Sequence, residues 1–261
     1  MVRYLLTSLL LVIMGATGNS QPGFKETQQS YARVRNAYRD KWDPIKDLIA
    51  EQQVEAEKLQ ICIRAFKQEQ LLEVWIKDKD QETFSMLRSY EICATSGVAG
   101  PKRREGDMQI PEGFYHIQVF NPWSTFHLSL GIDYPNLSDR VLGKGDRLGG
   151  DIYIHGSCVT IGCIPLTDDL IKEVYVLCVE ARNNGQEKIP ITIYPAKMTR
   201  NNYMVLANSY GHDMDRLNLW EDLKTAYDLF ERDKRNPNVT YLEDGRHLIS
   251  VGEQELDHYV N

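Results

Sequence analysis

Ile154-His155-Gly156-Ser157-Cys158-Val159-Thr160-Ile161-Gly162-Cys163-Ile164-Pro165-Leu166-Thr167 is the stretch that decides the fold and the chemistry of this 261-residue chain. A short strand, Asp151 to His155, ends on a histidine, and a glycine-containing loop follows. Gly162 then precedes Cys163, just ahead of a helix capped by Thr167 or Asp168 and running to Asn183. A thiol attacks as its thiolate, which is favoured beside an imidazolium or at a helix N-terminus. The arrangement predicts Cys163 as a nucleophile and His155 as its base. Glycine at 162 lets backbone amides approach a reacting carbonyl oxygen, so Gly162, with Gly156 and Thr160, is expected to form the oxyanion site.

Three other readings of the same residues stay open. Cys158 and Cys163 are close enough in sequence to form a disulfide, which disables the nucleophile or makes it a redox switch. His155, Cys158 and Cys163 offer three metal ligands, although no fourth lies nearby and paired C-x-x-C spacing is absent. His155 can also be a buried histidine with a purely structural hydrogen bond.

Outward from this segment the chain reads as α+β and mostly antiparallel. Gln28 to Arg39 and Pro44 to Leu59 are helix-like, with Asp43-Pro44 as a start signal for the second. From Leu59 onward, runs rich in Ile, Val, Phe and Tyr replace them. Leu59–Phe66, Leu71–Lys77 and Thr83–Cys93 suggest an antiparallel meander. Phe114–Phe120 and Thr125–Gly131 are further strands, and His127 falls among the alternating residues of the second. Tyr134 to Gly150 is glycine-rich and charged, and is expected to be a flap over the site. Thr167 to Asn183 is expected to be an amphipathic helix. Ile189–Tyr194 is a buried strand, and Leu219–Asp233 is a helix carrying Trp220, Leu223, Tyr227 and Phe230 at helical spacing. Val239–Tyr241 and Arg246–Val251 suggest a terminal hairpin. Residues 21–58 are thus a helical segment, 59–251 one catalytic domain, and 252–261 a tail.

The ends and the composition set the compartment. Arg3 followed by the apolar run Leu5 to Ala16 and by Gly15-Ala16-Thr17-Gly18-Asn19-Ser20 has the layout of a secretory signal peptide over residues 1–20. The run is short for a membrane span, so no stable membrane insertion is expected once the signal is removed; an uncleaved anchor is the alternative reading of the same residues. A net charge of −7 argues against a nucleic-acid partner, and the one dense basic cluster, Lys102-Arg103-Arg104, is too short for more than a local anion contact. The five cysteines are too few for a disulfide-built scaffold, and their odd number leaves at least one without an intramolecular partner. Cys62 and Cys93, in strand-like surroundings, and Cys178, in a core-like helix, are expected to be buried inert thiols.

The residues also resemble a family. His155-Gly156 followed by Thr160-Ile161-Gly162-Cys163 is similar to the signature of YkuD-type L,D-transpeptidase catalytic domains, in particular the YafK-like branch, whose members carry HG, a short spacer and S-x-G-C. Ser96 to Asp107, Pro111-Glu112-Gly113-Phe114-Tyr115, Asn121-Pro122, Phe126 to Leu130, Tyr134-Pro135-Asn136 and Gly149 to Gly156 extend the resemblance. It runs from about Ile61 to about Ile249.

The resemblance implies ping-pong acyl transfer on Cys163, with peptidoglycan stem peptides of the diaminopimelate type as substrate and no metal or cofactor. Amine acceptors give cross-links or an envelope protein attached to peptidoglycan; water gives hydrolysis of stem-peptide or protein–peptidoglycan amides. A non-catalytic wall-binding module is the remaining alternative. The chain departs from the usual S-H-G-C-hydrophobic-R: Ile161 stands where histidine precedes Gly-Cys, and Pro165 where arginine follows. Since that arginine is thought to meet a substrate carboxylate, Arg103, Arg104 or Arg147 is a candidate replacement, and His127 is a further candidate for lining the site.

Overall fold

The computed structural model describes residues 22–251; the signal peptide expected at 1–20 and the tail expected at 252–261 lie outside the described residues. Among the described residues no helix is long and apolar enough to cross a membrane.

The chain enters through α1 (Phe24–Gln29) and α2 (Ala32–Glu51). Asp43-Pro44 starts no new helix, because α2 runs unbroken through Pro44. An interior proline costs a helix roughly 3 kcal/mol. Here the buried stripe of Val34, Ala37, Tyr38, Ile45 and Ile49 holds both sides of Pro44 on one packed surface. A short 3-10 turn, Ala56–Lys58, leads into the sheet.

β1 (Leu59–Phe66), β2 (Leu71–Asp78) and β3 (Ser85–Glu91) form the antiparallel meander. β4 (Gly113–Asn121), β5 (Ser129–Ile132), β6 (Tyr153–His155), β7 (Ile164–Pro165) and β8 (Ile189–Tyr194) complete an eight-stranded sheet ordered β3-β2-β1-β8-β4-β5-β6-β7. Two joints, β1–β8 and β6–β7, are parallel. The sheet curls until its two ends meet: Cys93 N–H, just past β3, donates to Pro165 O of β7 at 3.1 Å.

Inside the curl lies α4 (Asp168–Asn183), capped by Thr167 Oγ1 accepting from Leu170 N–H. The expectation of an amphipathic helix is corrected here. Ile171, every residue from Val174 to Val179, and Ala181 are all fully buried. The sheet wraps one side of α4, while α1 and α2 cover the other, so the helix has almost no solvent face. Its polar exceptions are tied off: Glu173 accepts from Tyr90 Oη at 2.8 Å, and Glu180 from Tyr38 Oη at 2.7 Å.

On the opposite face α5 (Arg200–Ser209) and α6 (Met214–Asp233) close a second core with Phe66, Phe114, Tyr194 and Trp220. β9 (Asn238–Tyr241) and β10 (His247–Ser250) form the terminal hairpin. The segment expected as a flap, 134–150, carries α3 (Leu137–Leu142). Tyr134 Oη donates to Leu148 O, Ser138 Oγ donates to Gly245 O beside the hairpin, and Lys144 N–H donates to Arg103 O. A buried tyrosine, a capped helix and these bonds tie the segment to the neighbouring loops and to the terminal hairpin.

Candidate active site

β6 and β7 pair in parallel with Ile154 opposite Ile164 and His155 opposite Pro165. Alternation sends the Ile154 and Ile164 side chains into the core, where both are buried. It turns His155 to the other face. Extending the same register by one residue sets Cys163 beside Tyr153, two positions along from His155 on that face. Cys163, His155 and Tyr153 line one cleft of about 310 Å³. The structure therefore brings the expected nucleophile and base together.

The histidine's tautomer follows from its neighbour. His155 Nδ1 lies 2.5 Å from Gly156 O, and a carbonyl only accepts, so Nδ1 carries the proton. Nε2 is left with its lone pair, as a general base requires. The Phe126 ring stacks on the imidazole, centroids 4.7 Å apart. Burial holds the His155 pKa below its ordinary value, outweighing the opposing bond to Gly156. Burial also raises the Cys163 thiol. Both shifts favour neutral forms, so the resting pair is thiol and imidazole. The thiol donates weakly to Asp151 O, with Sγ at 3.5 Å.

The loop between the two strands is shaped by three contacts. A Cβ on Gly156 would meet Asp168 Oδ1 at 2.6 Å and Phe126 O at 2.8 Å, so only glycine fits there. Gly162 takes φ +140°, also a glycine conformation. Thr160 Oγ1 accepts from Gly162 N–H at 3.0 Å and Cys163 N–H at 2.8 Å, and donates to Cys163 O at 2.8 Å. The two amides expected to stand free for an oxyanion are thus already engaged by a neutral hydroxyl oxygen.

The cleft's far wall is Asn121 to Phe126, held from outside by α2. Arg33 Nη1 donates to Ser124 O at 2.6 Å and His127 O at 2.7 Å. Tyr31 packs edge-on against Trp123, which is 74% exposed. Among the described residues no Lys or Arg lines the cleft, and Asp151 is its one carboxylate.

None of the three expected arginines reaches this cleft. Arg103 is pinned on Asp139 at 3.1 Å, where burial pushes the Asp139 pKa up to about 6 against the pull of that guanidinium. Arg104 lies with Arg103 in a separate depression that also includes Lys144 and Arg216. Arg147 is exposed and faces Glu105 at 3.9 Å. Arg103 and Arg104 lie on the loop before β4, tied to segment 134–150 through Asp139 and Lys144, and Arg147 lies on that segment itself. His127 is not on a strand either, since β5 begins at Ser129 and His127 sits at φ +69°. It backs the cleft beside Gly156, with its Nε2 buried and unpaired, and burial lowers its pKa.

Cys158 bonds to Cys93, not to Cys163, with Cα atoms 5.4 Å apart. This corrects two expectations: Cys93 is not an inert thiol, and a Cys158–Cys163 disulfide is not formed. It also removes Cys158 from the possible metal trio. The bridge spans the seam where β3 meets β7, fastening the loop between His155 and Cys163. Cys163, Cys62 and Cys178 remain free thiols, the latter two buried. Sequence reasoning missed Asp151, Trp123, Phe126 and Arg33. Tyr153 was legible, because it lies two residues from His155 on one strand.

The YkuD L,D-transpeptidase catalytic domain model matches residues 60–193. The chain is 36% identical over 192 residues to "Putative L,D-transpeptidase YafK" of Escherichia coli (strain K12), covering 73% of this chain and 74% of that protein. Among solved structures, the helical cell shape determining protein Pgp2 from Campylobacter jejuni aligns over 71% of this chain and 74% of its own, at TM-score 0.43 and 20% identity. Bdellovibrio bacteriovorus Bd1075 aligns over 70% and 77%, at TM-score 0.38 and 17% identity. By the family match across β1 to β8 and the identity to YafK, the chain belongs to the YkuD family of L,D-transpeptidase catalytic domains.

Proposed function

We propose that this protein is an exported cysteine acyl-transfer enzyme acting on peptidoglycan stem peptides in cell-wall formation or remodelling. The observation that carries the reading is one cleft holding Cys163 and a His155 whose Nδ1–H is committed to Gly156 O. Export is supported by the Cys93–Cys158 disulfide, a bond that persists in oxidising compartments, together with the apolar N-terminal run.

In this mechanism His155 Nε2 takes the thiol proton as Sγ attacks the amide carbonyl at the diaminopimelate centre of the donor stem. The neutral resting pair makes proton transfer concurrent with attack, in place of a preformed thiolate. Negative charge developing on the carbonyl oxygen draws the Gly162 and Cys163 amides away from Thr160 Oγ1, since a charged acceptor binds about twice as strongly as a neutral one. The tetrahedral intermediate collapses, His155 returns the proton to the leaving amine, and a Cys163 thioester remains. An acceptor amine then forms a new amide, or water hydrolyses the thioester; in either case His155 Nε2 removes the attacking proton and the thiol is restored.

Sacculi of the diaminopimelate type, incubated with wild-type protein or with Cys163→Ala and digested for mass spectrometry, test the reading. New cross-links or exchanged terminal residues that vanish in the variant establish transpeptidation. Released peptides or proteins without new links establish an amidase. Indistinguishable digests refute Cys163 as nucleophile and leave a wall-binding module.

A further inference from the structure

The charge lining the cleft is opposite to what a carboxylate-anchored substrate needs. Among the described residues its one formal charge is Asp151, whose own carbonyl lies 3.5 Å from Cys163 Sγ. Among the described residues the Asp151 carboxylate makes no hydrogen bond and no ion pair. The cation nearest in effect, Lys102, is locked on Asp107 at 2.6 Å and on Arg104 O at 2.9 Å. Pro165 occupies the position two residues beyond Cys163, buried in β7, so no guanidinium is supplied from there.

An unpaired carboxylate beside a nucleophilic thiol works against the thiolate, and Asp151 does oppose ionisation of Cys163. Its placement there makes chemical sense if a cation enters with the substrate. Aromatic faces complete such a subsite: Trp123, Phe126 and Tyr153 line the same cleft, and rings attract an ammonium through their negative faces. Asp151, at φ +56°, stands two residues ahead of β6, the strand that carries His155, with the buried Ile152 between them.

We propose that Asp151, with the Trp123 ring, is an ammonium-accepting subsite that selects donors carrying a free primary amine near the scissile carbonyl. The proposal rests on the acyl-transfer reading and deepens it. The substrate is anchored by its amine, as the free amino group of a diamino-acid side chain, and not by a carboxylate. The bound ammonium would neutralise Asp151 and remove its opposition to the thiolate, coupling recognition to reactivity.

Two synthetic stem tetrapeptides ending in diaminopimelate–alanine test it, one with the side-chain amine free and one with that amine acetylated. Calorimetric titration into Cys163→Ala protein reads binding without turnover. The free-amine peptide is expected to bind on the order of tenfold tighter, the size of one exposed ion pair plus a cation–ring contact. Asp151→Asn in the same background is expected to cut that preference below about twofold, and Asp151→Lys to invert it. Unchanged unfolding midpoints show that the variants fold. Equal affinities, no measurable binding of either peptide, or a preference that survives Asp151→Asn overturns the proposal. Turnover is read separately, as a covalent adduct or product with wild-type protein that Cys163→Ala lacks. Amine-selective binding without such turnover keeps the subsite and removes the nucleophile; turnover without selectivity does the reverse.

Discussion

Removing both halves of the Cys93–Cys158 bridge, as Cys93→Ala/Cys158→Ala, is expected to destabilise the protein by roughly 4 kcal/mol. The bridge closes a loop of 65 residues, and the chain-entropy relation gives about that figure for a loop of this length at room temperature. Both cysteines are replaced because a lone Cys158 thiol lies five positions from Cys163 and invites a new pairing. Urea unfolding followed by tryptophan fluorescence measures the change; for a chain of this size the melting temperature should fall by about 8–16 °C. A second effect should accompany the first. The bridge fastens the loop between His155 and Cys163 across the seam where β3 meets β7, so activity should fall even at temperatures where the variant is folded. A loss below about 1 kcal/mol refutes the entropic argument. A non-reducing peptide map that finds Cys158 joined to Cys163 refutes the pairing itself.

The neutral resting pair predicts that iodoacetamide labelling of Cys163 accelerates with rising pH past 9, because burial raises the thiol; a rate plateau between pH 5 and 8 refutes it in favour of an ion pair. Burial lowers the His155 pKa, and only the neutral ring accepts a proton, so the acid limb of kcat/KM should lie below pH 6.5; a limb above that value contradicts the assignment. Arg33→Ala strips two carbonyls of their donor and frees the wall bearing Phe126, so kcat/KM should fall about 10- to 100-fold, mostly in kcat, with Arg33→Lys restoring part of it. An Arg33→Ala variant with wild-type kinetics removes α2 from the site.

Much of this was legible because strand alternation and local motifs carry it. β1 and β8 occupy the residues that hydrophobic patterning marks, and His155 and Cys163 stand on a strand–loop–strand unit read from one contiguous segment. What was not legible depends on distant segments meeting. α4 looks amphipathic from its own residues, yet it is sheathed because α1 and α2 return to cover it. Cys93 gives no local sign of a partner; it finds Cys158 only because the sheet curls end to end. The arginines sit in two charged loops, which composition alone makes attractive, but Arg103 is pinned on Asp139, Arg104 faces a separate depression and Arg147 faces Glu105. Arg33 lies outside the matched family segment and reaches the site through backbone carbonyls, contacts that no side-chain pattern records.

Thr160 decides whether the resting site is blocked or held ready. If its hydroxyl merely occupies the oxyanion position, Thr160→Val, which keeps the shape and removes the oxygen, should accelerate acylation. The bonding argues for the other sign. Oγ1 satisfies two amides and one carbonyl of a tight loop in which Gly162 is at φ +140°. Without it those groups lose partners costing about 1–3 kcal/mol each when buried, and the loop is free to turn them toward water. The exchange from hydroxyl to oxyanion is already favourable, because the charged acceptor is the stronger one. Thr160→Val is therefore expected to lower the acylation rate about 10- to 100-fold, and Thr160→Ser, which keeps the oxygen, to stay within a few-fold of wild type. Burst-phase kinetics of thioester formation measure the step directly. A faster Thr160→Val enzyme means that the hydroxyl is an obstacle; a slower one, rescued by serine, means that it aims the two amides before the substrate arrives.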